Sequence, residues 1–351
     1  MPNLSYMQKA TDRGQLQIHV TTERGFFPIK DASIRLSYTG NPTEIIEELS
    51  TDISGQTAAV ELPAPPLEYS MEPSEFQPYS EYTIQVNASG YRPINISGIS
   101  VLPDKTSIQN VRMETATVEN PLERNIVITA NTLYGNFPPK IPEDEIKPMT
   151  ESGEIVLSRV VIPEYVIVHD GPPSDSSAND YYVRYRDYIK NVASSEIYAT
   201  WPDAALRANI LAIMSFTLNR VYTEWYRNKG YDFTITSSTA FDHKFVYGRN
   251  IFSNISNIVD EMFNSYLSRP NVRQPILTQY CDGQRVSCPN CGGPKTWRTK
   301  GIQRFRFSAI IMETICISTR RMKSVVCLLP GRAATLRLVL PGIRCGCCRS
   351  S

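Results

Sequence analysis

The chain has 351 residues, 41% of them hydrophobic, 20% charged and 10% aromatic, with a formal net charge of +1. That length and apolar content suffice for more than one buried core, and no apolar run approaches the ~20 residues of a membrane span. The opening MPNLSYMQKATDRGQ lacks an apolar stretch of secretory type, so a soluble globular protein with no membrane partner is expected.

Residues 14 to about 115 predict short strands separated by turns. GQLQIHVTT alternates Leu16, Ile18 and Val20, DASIRLSY alternates Ile34 and Leu36, and SEYTIQVNASGYRP alternates Tyr82, Ile84 and Val86 before Gly90. Asp52-Ile53-Ser54-Gly55 and Pro63-Ala64-Pro65-Pro66 punctuate them, which together predicts a small antiparallel β-sandwich over 14–117. The pattern resembles the carboxypeptidase-regulatory or transthyretin-like sandwiches, whose usual work is spacing or binding. Residues 118–153 turn polar and proline-rich, with Pro138, Pro139, Pro142 and Pro148 around Glu143-Asp144-Glu145. This reads as a semi-rigid linker and as a place where an activating protease could reach the chain.

A second domain opens with EIVLSRVVIPEYVIVHDG, a strand-like run in which His169-Asp170 falls at a strand end. Helices follow. YYVRYRDYIKNVASSEI predicts one that ends near Glu196, and Pro202 suits the first position of the next, with Asp203 in its first turn. Leu206, Ile210, Ile213, Met214, Leu218, Val221 and Trp225 then mark one core-facing side at helical spacing. NISNIVDEMFNSYLSRP predicts a further helix that stops before Pro270. The junction between the first two helices, ASSEIYATWP, sets Glu196 among small and aromatic side chains. Most carboxylates are solvated surface charges, so a catalytic role for Glu196 needs support beyond its neighbours.

The residues after 290 differ from everything before them. Residues 291–351 hold twelve lysines and arginines against the single acid Glu313, whereas residues 1–290 hold 24 basic and 34 acidic residues. All eight cysteines lie at or after Cys281. Cys288/Cys291 and Cys345/Cys348 form two CxxC pairs, a zinc-type pattern, but they stand more than fifty residues apart, beyond ribbon spacing.

The run YIKNVASSEIYATWPDAALRANILAIMSFTLNRVYT resembles the heart of the stage II sporulation protein D (amidase enhancer-like) family, where A-S-E is followed by W-P and a long alanine-rich helix. IPEYVIVHDGPPSDSSANDYY, TEWYRNKGYDFTITSSTAFDHKFVYGRNIF and RQPILTQYCDGQRVSCPN are similar to the clostridial germination-specific spore cortex-lytic enzymes, so the likeness runs from the sandwich to about residue 290. What it implies is an α+β protein in which an α-rich catalytic domain, 154–290, follows the sandwich and linker. The implied activity is that of a lytic transglycosylase cutting the β-1,4 bond of spore cortex peptidoglycan during germination. The family's acid maps onto Glu196. One carboxylate can be enough, because the muramic acid's own 6-hydroxyl or acetamido group replaces the second carboxylate that other glycosidases use. Partial burial beside Ala193, Ile197, Tyr198 and Trp201 is the expected means of keeping the acid protonated.

The expected substrate-binding residues are Tyr198, Trp201, Asp242, His243, Gln279, Tyr280 and Asp282. Relatives carry a Cys/His metal element near Asp242-His243, but the accompanying cysteines are absent here; no metal or organic cofactor is expected, and His243 reads equally as a structural or a cleft residue. Gln279, Tyr280 and Asp282 read equally as glycan contacts or as a strand edge and turn. The expected partner is cortex glycan, and the expected location is the spore, after synthesis in the mother cell. The alternative reading is a non-catalytic wall protein that binds peptidoglycan or enhances an amidase.

Reading the codons of Ile310 to Ile315 one base earlier permits three tyrosines, then forces Gly and Asp or Asn. The same shift makes PKTWRTKG compatible with A-Q-D-L-A-D-Q-G. Both strings resemble what the cortex-lytic family carries after its C-P-N segment. The expectation is therefore a frameshift near residues 288–292, which would leave the catalytic domain C-terminally incomplete. Residues 291–351 would then be an out-of-frame, poorly folded tail whose basic charge says nothing of nucleic acid.

Overall fold

A computed structural model describes residues 12–71, 76–117, 122–130, 133, 138, 141, 143, 157–268 and 273–278, and the backbone of 337–339. The fold is mixed α and β. The chain divides into two units. The first comprises Met1–Tyr134, Ser194–Trp201 and Val246–Asn257; the second comprises Gly135–Ala193, Pro202–Phe245 and Ile258–Ser351.

In the first unit the alternating residues become strands: β1 (Asp12–Thr22), β2 (Ser33–Tyr38), β3 (Asn41–Ser50), β4 (Val60–Ala64), β5 (Ser80–Asn87), β6 (Ile94–Val101), β7 (Thr106–Met113) and β8 (Arg124–Val127). A short helix α1 (Glu68–Met71) follows β4. Two sheets form, one ordered β3-β2-β5-β6-β8 and the other β4-β1-β7 with a fourth strand from far along the chain, residues 251–252. Leu16, Ile18 and Val20 from one sheet and Ile34, Leu36, Tyr82, Ile84 and Val86 from the other are fully buried in one shared core. Each such side chain contributes about 1.5–3 kcal/mol by leaving water.

The expected antiparallel sandwich needs correction. β1 pairs with β7 in parallel, from Gln15↔Thr106 to Thr22↔Met113, and β6 pairs with β8 in parallel. Period-two alternation tells which face of a strand is buried, not its direction. Two further differences have local reasons. Pro63, read as punctuation, lies inside β4, which is permitted because β4 is an edge strand. Arg124–Val127, inside the expected linker, is the edge strand β8 of the second sheet.

Register in β6 depends on one glycine. Between Tyr82↔Ile99 and Ile84↔Ile96 the pairing slips, leaving Ser97 and Gly98 opposite Thr83 alone. Gly98 has φ +84°, and a Cβ there would lie 2.4 Å from the Ile128 carbonyl oxygen. Gly98→Ala is therefore expected to destabilise the protein by about 1–3 kcal/mol, read as a lower urea midpoint; an unchanged midpoint would show that β8 yields freely.

The second unit contains the hairpin β9 (Tyr165–His169) and β10 (Asp180–Arg184), with β11 (Ile235–Thr236) parallel to β9. Helix α2 (Tyr185–Glu196) leads from this unit into the first, and α3 (Asp203–Tyr222) lies wholly in the second. β12 (Ile251–Phe252) is the fourth strand of the first unit's β1 sheet and is followed by α4 (Ser253–Met262). β13 (Tyr266–Ser268) then pairs with the backbone of β14 (Arg337–Val339).

The helical expectations shift in detail. The run expected to start a helix at Tyr181 is strand β10 up to Arg184, and α4 ends at Met262, so Tyr266–Ser268 extends as a strand instead. Pro202 is the residue before α3 rather than its first, with φ −54° and ψ 144°. α3 is buried on nearly every side, not one face. Three of its internal polar groups are satisfied locally: Asn209, Ser215 and Thr217 each donate to the carbonyl four residues back, at 2.8, 2.7 and 2.8 Å. Trp225 falls beyond the helix end. Among the described residues no helix is long and apolar enough to cross a membrane. The tail 291–351 lies outside the described residues, save the backbone of 337–339.

Candidate active site

Glu196 is the last residue of α2, at the helix end where backbone carbonyls leave partial negative charge and an anion is least favoured. From Asn191 to Trp201 every residue is buried except this one, which is partly exposed. Its Oε2 atom is nonetheless shielded from solvent. The sequence accounts for this locally: Ala193, Ser194 and Ser195 are small enough to pack tightly, and Ile197 and Tyr198 continue the buried run.

The loop after Glu196 is tied down at several points within the first unit. Trp201 Nε1 donates to the Ser70 carbonyl at 2.9 Å, and the Thr200 hydroxyl donates to Ser70 Oγ at 2.8 Å. Asn254 Nδ2 donates to the Ala199 carbonyl at 2.8 Å, and the Trp201 N–H closes a turn onto the Tyr198 carbonyl at 3.0 Å. Tyr198 and Trp201 meet edge to face, with centroids 6.1 Å apart. Both rings are buried, as apolar company for Glu196 requires, and the Trp201 indole N–H is committed to Ser70. Trp201→Phe, which keeps a ring and removes that donor, is expected to cost about 1–3 kcal/mol. A thermal midpoint equal to the parent's would contradict this.

Asp242 and His243 belong to the second unit. Asp242 is fully buried and accepts four bonds: from Arg220 Nε at 2.6 Å, Tyr226 Oη at 2.6 Å, and the Thr236 N–H and hydroxyl at 2.8 and 2.7 Å. Arg220 also holds both oxygens of Glu143, at 2.8 and 2.9 Å. Burial works to raise the Asp242 pKa, but the Arg220 guanidinium outweighs it, helped by the bonds from Tyr226 and Thr236, so the carboxyl sits below its ordinary value. These commitments give the fully buried Asp242 carboxylate a structural task within the second unit. His243 is also buried, with Nδ1 3.2 Å from the Tyr188 hydroxyl and its ring 4.5 Å from that of Phe216. Of its two open readings, the structural one matches this environment. Gln279, Tyr280 and Asp282 lie outside the described residues.

The sequence reading missed Arg220, although a single arginine within MSFTLNRVYTEW was the available signal. It also missed the pair between His169 Nδ1 and Asp180 Oδ1, 2.7 Å apart across the β9–β10 hairpin. Among the described residues no three His, Cys, Asp or Glu side chains group so as to hold a metal ion.

No family model matches the chain, and no curated protein does. Among solved structures it is similar to the Bacillus anthracis TIE protein, at 16% identity over 30% of this chain and 17% of that one, with a TM-score of 0.21. It is similar to GBS52, the minor pilin of Streptococcus agalactiae, at 13% identity over 30% of this chain and 46% of the pilin, with a TM-score of 0.22. A 5-hydroxyisourate hydrolase from Klebsiella pneumoniae matches at 16% identity over 29% of this chain and 86% of the hydrolase, with a TM-score of 0.19. The chain thus spans less than half of the first two proteins' length, and at these scores none of the likenesses carries a functional argument.

Proposed function

We propose that the protein is a peptidoglycan lytic transglycosylase acting on spore cortex during germination, with Glu196 as its single acid and base. The observation that supports it is the setting of Glu196: one partly exposed residue in a run of eleven that is otherwise buried, with its Oε2 shielded, at a helix end followed by a clamped loop. The sequence resemblance supplies the reaction. Glu196 protonates the glycosidic oxygen as the bond from C1 of N-acetylmuramic acid breaks, and the N-acetylglucosamine leaves as its 4-hydroxyl. The 6-hydroxyl of the same muramic acid then closes on C1 and returns its proton to Glu196. No water is consumed, and the product is a 1,6-anhydromuramic end.

The rest of the reading goes with that reaction: cortex glycan as partner, the spore as location, and a protease acting at the linker. Incubation of the purified protein with isolated cortex, followed by mass spectrometry of the fragments, tests it. The expected products are muropeptides one water lighter than their reducing counterparts. Reducing ends alone point to a hydrolase. Intact glycan together with a stimulated partner amidase points to the non-catalytic wall protein.

A further inference from the structure

The sandwich of the first unit is not completed by its own N-terminal stretch. Strand β12 extends its first sheet, pairing Ile251↔Ile108 and Phe252↔Ser107, more than a hundred residues away in sequence. The residues around β12 are buried among those of the sandwich. Val246 enters the shared core, and Phe252 and Asn250 are sealed from solvent. A Cβ on Gly248, whose φ is +79°, would lie 2.6 Å from the Ile126 side chain, so the backbone itself packs on β8.

Directional bonds match this packing. Asn250 mimics a strand partner for Ser100, accepting its N–H at 3.1 Å and donating to its carbonyl at 3.0 Å. Gln109 donates to the Gly248 carbonyl at 3.0 Å, and Arg249 donates to the Thr129 carbonyl at 2.7 Å. The second inserted segment, 194–201, adds the two bonds to Ser70. A sheet edge, an apolar contact and several buried polar pairs are what a stable protein–protein interface uses.

We propose that residues 12–130 are a binding partner for the remainder of their own chain: segments 194–201 and 246–257 complete the sandwich, so a chain cut in the intervening linker stays one non-covalent complex. Cleavage there changes covalent connectivity without releasing the N-terminal piece. The proposal does not depend on the catalytic reading.

The test is a recognition sequence for a site-specific protease inserted between Asn136 and Phe137. The position is upstream of Ile141, whose N–H bonds the Ala240 carbonyl, and of Glu143 on Arg220. Those contacts therefore stay with the C-terminal piece and cannot hold the halves together. After cutting, both pieces are expected to elute as a single species from a sizing column at about 1 µM and to part only in denaturant. The backbone amides of Ile108 and Ser100 are expected to keep the hydrogen-exchange protection of the uncut chain. Separation in native buffer, or loss of that protection, overturns the proposal. In the cut chain Asn250→Ala with Phe252→Asp should raise the dissociation constant at least ten-fold, and an unchanged constant removes β12 as the holding element.

Discussion

Glu196→Gln is expected to slow glycan-strand cleavage by about 10²–10⁴-fold, the usual contribution of a positioned acid–base group, with the folded protein intact. Gln has nearly the shape of Glu and can occupy the same place at the end of α2, so the loop anchored by Thr200, Trp201 and Asn254 should be undisturbed. What it lacks is a proton that can be given to a leaving oxygen and taken back. Initial rates of anhydro-end formation, read beside circular dichroism of both proteins, separate the chemical effect from a folding defect. Parent-like rates from the Gln variant would remove Glu196 from the mechanism. Glu196→Asp is a useful companion, because it retains the acid but draws it back by one methylene; a large loss there reflects positioning.

The largest effect on stability is expected at Arg220. Its guanidinium lies between Asp242 and Glu143, and all three side chains are nearly or wholly excluded from water. Arg220→Met leaves two buried carboxylates without their cation, at an expected cost of about 3–5 kcal/mol, read as a fall in the urea or thermal midpoint. Asp242→Asn should cost less, because Glu143 still balances the arginine. If the two variants are equally stable, the network does not work as a charge balance.

Acid provides an independent check. Because the folded Asp242 pKa lies below its unfolded value of about 4, the pair's contribution is fully present above about pH 4 and is lost as pH falls toward the folded pKa. In Arg220→Met the guanidinium's attraction is gone, and the burial that works to raise the pKa is opposed only by the bonds from Tyr226 and Thr236, so the loss of stability on the acid side should shrink.

The strands of the sandwich were legible because burial of one face imposes an alternation that short windows reveal. Leu16, Ile18 and Val20, or Tyr82, Ile84 and Val86, read as strands and fold as strands. Helix α3 was legible in position but not in burial. An apolar stripe signals helix, but nothing in the sequence shows that Asn209, Ser215 and Thr217 are buried with their side chains bonded to their own helix backbone. Glu196 drew notice from its neighbours, and its resemblance to a family motif made it a candidate acid; neither could show whether its oxygens meet water.

By itself, the amino-acid sequence determined local matters: which residues alternate, where prolines and glycines interrupt, and where charge and cysteine change abruptly. Those follow from interactions within a few residues along the chain. Tertiary structure decided everything that joins distant segments: the parallel pairing of β1 with β7, the entry of β12 into the N-terminal sandwich, and the burial of Tyr198, Trp201 and Asp242. It also decided the partnership of Glu143, Arg220 and Asp242. A short sequence window carries no record of which remote backbone will satisfy a strand edge or which remote carboxylate will meet a buried arginine. Only the folded chain, in which each buried polar group must find its partner, makes that choice.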